Sequence, residues 1–267
     1  MKIWTVMAQK GGVGKTTTVV NLAGALTAQG ARVLAIDLDP HGSLTSYFGY
    51  DPEQDAGSVH DLFAAAATNE PCDITKLPRR TVVDKLEMIT SATALVSLER
   101  RCGLVKGMGR VLTRHLPKLA ERYDYCLIDC PPTLGMLVIN ALAACDLLVV
   151  PMQCEDLALK SLDRLMRTLE LFGNSSGRRL PHLIVPTMFD KRTRASRDTL
   201  LSLRCRQDIN LWPEVIPVDT QLREAARLGV PLTRWQPEAR GAEAYGRLLD
   251  TLLNNRTRQL RLAEGAA

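Results

Sequence analysis

Eight consecutive residues, Lys10-Gly11-Gly12-Val13-Gly14-Lys15-Thr16-Thr17, combine three glycines, two lysines and two hydroxyls in an order suited to holding phosphate. Glycines let a backbone curl until successive N–H groups point at one anion, and a helix behind such a loop adds the positive end of its dipole. Lys15 then brings a point charge to the β- and γ-phosphates, and the Thr16 hydroxyl ligates Mg²⁺. Residues Gly11 to Thr17 are therefore candidate nucleotide-binding residues. The plain alternative is a glycine-rich strand-to-helix turn that binds nothing.

Two acidic segments complete the candidate chemistry. Tyr125-Cys126-Leu127-Ile128-Asp129-Cys130-Pro131-Pro132 is an apolar run ending in an acid, and Asp129 is placed to hold Mg²⁺ through water, because that cation keeps much of its hydration shell. Ile36-Asp37-Leu38-Asp39-Pro40-His41-Gly42 has the same form. An aspartate at a strand end can also simply cap a helix.

These residues need a scaffold, and the chain alternates short, β-branched apolar runs with helical patterns, as a parallel sheet with helices on both faces requires. Strands are expected at Ile3 to Ala8, Val33 to Asp37, Leu86 to Ile89, Cys126 to Asp129, Leu147 to Pro151, Leu183 to Thr187 and Val215 to Val218. Helices are expected after Gly14, at Gly107 to Arg122, Leu134 to Ala144, Asp156 to Phe172, Ser196 to Asp208 and Ala242 to Asn254, with Gly30 stopping the first. The least regular stretch, Tyr50 to Arg80, holds one short helix at Val59 to Ala67. The expected fold class is α/β, a doubly wound, mostly parallel sheet in one domain over 1–255, followed by a short basic tail at 256–267.

The 267 residues, 46% hydrophobic and 24% charged, can bury a sizeable core and carry no signature of disorder. The N-terminus runs straight into a strand pattern, and no apolar run approaches the roughly 20 residues of a membrane span, so a cytoplasmic protein is expected. Seven scattered cysteines without a C-x-x-C pair suit neither a disulfide framework nor a zinc site. The net charge of +5 is modest, but arginines gather in the C-terminal half.

Lys10 sets this loop apart from an ordinary Walker A sequence. Lys-Gly-Gly-Val-Gly-Lys-Thr-Thr resembles the deviant Walker A motif of the ParA/MinD family of positioning ATPases, and residues 36–42 and 125–132 resemble its two switch segments. The likeness continues through Pro186 to Thr193, Ile216 to Asp219, Leu222 to Ala225 and Arg240 to Tyr245, so it covers residues 1 to about 250. It implies a P-loop NTPase fold, ATP and Mg²⁺ as ligands, and a homodimer when ATP is bound. By the resemblance, Lys10 reaches across the dimer to the partner's phosphates, Asp39 orients the attacking water, and Asp37 lies nearer the metal with Thr16 and Asp129. Met188, Pro217 and Asp219 flank the nucleotide, and Lys10, Lys15 and Asp39 are the catalytic set.

The resemblance implies a slow ATPase switch, accelerated by an adaptor or stimulating protein, that positions a cargo. Arg192, Arg194, Arg197 and Arg223 are candidates for non-specific DNA contact, with Arg204 on the face of Arg197; a solvated surface is the alternative. Val218 and Gln221 stand where small ParA proteins usually carry two basic residues. A membrane matrix is not expected, since asparagines interrupt the basic segment Leu252 to Leu262 and it lacks an aromatic anchor. Trp4, His41 and Ser43-Leu44-Thr45-Ser46-Tyr47 look like the ParC branch associated with polar chemosensory arrays, which makes such arrays the expected cargo and a polar or nucleoid-associated pattern the expected location. Plasmid or chromosome segregation is the alternative cargo reading. A metabolic ATP-dependent ligase on the same fold is the alternative of another class, and an iron–sulfur carrier would need paired cysteines that Cys102 and Cys130 do not supply.

Overall fold

Successive residues of a strand point to opposite faces, and the apolar runs here are apolar on both, so each must be covered twice. The computed structural model describes residues 1–264 except Asp55, Leu104, Lys106 and Asp156, and gives the backbone alone for 157, 158 and 255–264. Its sheet contains β1 (Lys2–Val6), β2 (Val33–Asp37), β3 (Arg79–Arg80), β4 (Leu86–Ile89), β5 (Tyr125–Asp129), β6 (Leu147–Gln153) and β7 (His182–Thr187). The order is β3-β4-β2-β5-β1-β6-β7, parallel throughout except for β3 against β4.

The helices are α1 (Lys15–Ala28), α2 (Ser43–Tyr47), α3 (Val59–Thr68), α4 (Leu95–Cys102), α5 (Val111–His115), α6 (Met136–Ala144), α7 (Leu157–Ser176), α8 (Arg194–Arg204), α9 (Gln221–Leu228), α10 (Leu232–Trp235) and α11 (Arg240–Glu264). Val33, Ala35, Leu127, Val149 and Val185 face α1 and α11, while Leu34, Ile36, Cys126, Ile128, Val150 and Ile184 face α3 to α7. Each fully buried aliphatic side chain contributes about 1.5–3 kcal/mol, so the two faces together carry the stability of the domain. Tyr245 and Thr18, whose hydroxyls lie 3.1 Å apart, tie α11 to the helix behind the glycine loop.

Register decides what the sheet presents. Val6 of β1 and Asp37 of β2 both lie opposite Asp129 of β5, so the loops leaving these three strands emerge side by side at their C-terminal ends. Ligands of open α/β sheets bind at that edge.

The structure corrects several expectations. Val215 to Val218 is not a strand: Pro213 and Pro217 have no N–H to donate, and the segment keeps only a Phe189–Pro217 bridge and single bonds to the end of β7. The helix expected at Gly107 to Arg122 is broken into α5 between two 3-10 turns, Met108–Arg110 and Leu116–Leu119, because Pro117 interrupts the hydrogen-bond ladder. The final helix runs past Asn254 to Glu264, so the stretch expected as a tail at 256–267 begins as helix, and 265–267 lie outside the described residues. Gly30, at φ 89°, follows the end of α1 as expected. Among the described residues, no helix is long and apolar enough to cross a membrane.

Candidate functional site

The glycine loop connects β1 to α1 and takes a shape that side chains would oppose. Gly12 and Gly14 have φ values of 76° and 93°, a left-handed backbone that costs glycine little and other residues more. Open space lies where Cβ atoms would stand at Gly11, Gly12 and Gly14. The helix behind them starts on Gly14 with no side-chain cap and no acid in its first turn, so its leading N–H groups face the loop's concavity without a protein anion. Val13 turns the other way: it is buried, and its carbonyl accepts from Thr187 Oγ1 at 2.9 Å, which clamps the loop to β7.

An open pocket of about 410 Å³ is lined by Gly11, Gly12, Gly14, Lys15, Thr16, Thr17, Asp39, His41, Ser43, Pro132 and Met188. Residues from the ends of β1, β2, β5 and β7 thus meet at one place, as the register requires. Met188 reaches it from a left-handed backbone at φ 51°.

Asp129 is buried behind the lining residue Thr16, 1% exposed. Its Oδ2 accepts from Thr16 Oγ1 at 2.6 Å, while Oδ1 is buried without a partner. Burial and the nearby Asp37 push its carboxyl well above the usual carboxylate range, against the pull of the Thr16 hydroxyl and Lys15. A buried carboxylate with an orphaned oxygen beside a hydroxyl fits a hydrated Mg²⁺, which Thr16 and Asp129 would hold. Among the described residues no cluster of three or more acids, histidines or cysteines forms a dedicated metal cage, which suits a cation that draws its other ligands from water and phosphate. When bound, the cation neutralises charge spread over phosphate oxygens.

Asp37 is placed differently from the expectation of a metal-side acid. Its Oδ1 accepts from the Asp39 N–H, and its Oδ2 accepts from both the N–H and the hydroxyl of Thr45. These bonds engage both carboxylate oxygens in shaping residues 37–45. Burial pushes its carboxyl up to about 7, in spite of those donors. A carboxyl raised on folding stabilises the fold fully below its ordinary value, near 3.8, and loses that contribution as pH rises through about 7. The nucleotide-free protein is therefore expected to melt at lower temperature as pH rises from about 4 to about 7, by up to about 1.4 kcal/mol per pH unit from Asp37, and Asp37→Asn should make the trend shallower, with Asp129 supplying the rest. Equal slopes in thermal melts of the two proteins would contradict this reading of Asp37.

Asp39 is held at the pocket rim by its surroundings. Its carbonyl accepts from the buried Ser91 hydroxyl, and its Oδ1 accepts from the His41 N–H at 3.1 Å. His41 Nδ1 stands 2.8 Å from the same oxygen.

Lys10 is turned away from this pocket. It forms an ion pair with Glu155, beyond the end of β6 in the same chain, and lines a separate small apolar cleft between the loop and α7. Pro217 and Asp219 do not join Met188 in the pocket lining: Asp219 accepts from the N–H groups of Gln221 and Gly241 and so anchors the starts of α9 and α11. The arginine candidates are exposed, but Arg192 is paired bidentately with Asp190 and Arg194 with Asp198. Arg197 and Arg223 remain exposed on α8 and α9.

Sequence reasoning gave no site role to Glu155, Thr45, Ser91 and Thr187, although Thr45 and Thr187 lie in segments that carry the family resemblance. Only the strand-end positions of Glu155 and Thr187 hinted at it.

Comparison with known proteins places these features in context. A family described as an AAA domain matches residues 1–181. The chain is 36% identical over 247 residues to the sporulation initiation inhibitor protein Soj of Bacillus subtilis, across 91% of this chain and 95% of Soj. It is 33% identical over 267 residues to the chromosome partitioning protein ParA of Caulobacter vibrioides, across 98% of each. Its fold matches that of a cobyrinic acid a,c-diamide synthase from Mycobacterium smegmatis, solved with a bound ATP analogue and magnesium, with a TM-score of 0.81, 33% identity and 96% of each chain covered.

Proposed function

The chain belongs to the ParA/MinD-type family of deviant Walker A ATPases, and from that premise we propose that it is an ATP-dependent dimerising switch that partitions a cellular cargo. The observation that carries this reading is the contrast between the two lysines. Lys15 lines the pocket, whereas Lys10 is held outside it by Glu155, and a lysine kept out of its own site supports a role toward a second copy.

In this reading the loop N–H groups and Lys15 bind the phosphates of ATP, Thr16 and Asp129 hold Mg²⁺, and Asp39 positions the attacking water. Lys10 of each protomer enters the other's site and stabilises charge developing in the transition state, as an arginine finger does. Hydrolysis is slow until a stimulating protein binds, since the lifetime of the ATP-bound dimer is the signal. The domain acts as a single unit over 1–255.

The cargo we favour is a replicon. Relatives matched over nearly the whole chain are named chromosome partitioning proteins, and this outweighs Trp4, His41 and residues 43–47, which pointed to chemosensory arrays. Arg197, Arg223 and Arg204 would meet DNA phosphates, joined by Arg192 and Arg194 if their carboxylate partners release them. A hydrolysis-blocked Asp39→Ala protein should bind DNA with ATP and not with ADP. Its affinity should fall with salt at a logarithmic slope of about −0.9 per phosphate neutralised. Dimerisation without DNA binding would instead favour a protein landmark such as a polar array.

The likeness to the diamide synthase supports a second reading, an amide-forming ligase. The two separate on one measurement: a switch turns over ATP alone, whereas a ligase needs its carboxylate substrate for turnover.

A further inference from the structure

Asp39 does not face the pocket by itself. His41 lines the same wall, and its imidazole Nδ1 lies 2.8 Å from Asp39 Oδ1, the oxygen that also accepts the His41 backbone N–H. Two donors converging on one oxygen occupy its lone pairs and leave it little capacity to accept from a water. They also fix the ring. With the proton on Nδ1 donated to Asp39, the Nε2 lone pair is free to accept, which is the arrangement by which a carboxylate orients an imidazole base.

Exposure divides the pair in the same sense. The Asp39 side chain is 11% exposed and that of His41 79%, so the carboxylate is the fixed member and the imidazole the one in contact with water. The turn is held from behind: Gly42 has φ 63°, and Pro52 packs against it where a Cβ would stand. The charged groups shown beside the ring are Asp39 at Nδ1 and Lys15, which lines the same pocket.

We propose that His41 is a further catalytic residue, its Nε2 accepting the proton of the attacking water while Asp39 holds the ring. This rests on the ATPase reading above. As the water oxygen bonds to the γ-phosphorus, one of its protons passes to Nε2. The bond from phosphorus to the β–γ bridging oxygen breaks, and its electron pair leaves with ADP. The exposed ring then returns the proton to solvent.

The test is steady-state ATP hydrolysis by the full chain from about pH 5.5 to 8.5, for the unsubstituted protein, His41→Ala and His41→Gln. The unsubstituted rate should rise with pH over part of this range, because only an unprotonated ring can accept the proton. Both variants should lose about tenfold or more in kcat, with KM held within about twofold, and should lose that pH limb. Added imidazole should restore part of the rate of His41→Ala and none of that of His41→Gln, whose side chain still fills the site. A His41→Gln protein with the original rate and pH profile would overturn the proposal. So would a slow His41→Ala protein that keeps the pH limb and ignores imidazole, since His41 would then only brace the loop. Failure of the unsubstituted chain to hydrolyse ATP at any pH would sink the ATPase reading itself, a result distinct from either of these.

Discussion

Lys15→Ala is expected to abolish useful nucleotide binding. Lys15 is 8% exposed and lines the pocket with the loop glycines, so its ammonium is itself largely withdrawn from water where it meets phosphate. Removing one member of a desolvated charge pair costs about 3–5 kcal/mol, and 3 kcal/mol is already more than about a hundredfold in Kd. Calorimetry with an ATP analogue and Mg²⁺ should show the heat of binding vanish at micromolar protein, while the fold survives by circular dichroism. A variant that folds and binds with unchanged affinity would refute the phosphate-site assignment.

The second large effect concerns the two residues assigned to opposite sides of a dimer. Lys10→Ala and Asp39→Ala should each reduce hydrolysis to background, because every site of either homodimer lacks one required group. Mixed in equal amounts, they should recover roughly a quarter of the unsubstituted rate, since half the dimers are mixed and each of these holds one complete site. That site combines Asp39 of the Lys10→Ala protomer with Lys10 of its partner. No recovery on mixing would mean that Lys10 acts within its own chain, where Glu155 now holds it, and would remove the physical basis for the switch.

The parts of the site legible in the sequence are those whose chemistry depends on neighbours in the chain. Gly12 and Gly14 must adopt positive φ, Lys15 and Thr16 must follow them onto a helix, and Asp129 must end a buried strand; each requirement leaves a local mark. The sheet was legible for the same reason, since β2 is apolar along most of its length on both faces and β2 and β4 begin and end where the pattern does. What could not be read depends on groups brought together by folding. Nothing local says that Thr45 takes up Asp37, that Glu155 takes up Lys10, or that Gly241 takes up Asp219. Aspartates 37 and 129 look alike as strand-end acids, and only the folded structure shows three donors on the first and one on the second. β3, two arginines paired with β4 at the sheet edge, carries no apolar signature at all.

The central claim is that ATP makes this chain a dimer, and the most direct measurement is its mass in solution with a non-hydrolysable ATP analogue and Mg²⁺, and again with ADP. Sedimentation should give about twice the 29.4 kDa chain mass with the analogue and the single-chain mass with ADP. A chain that is monomeric with both, or dimeric with both, would contradict the account.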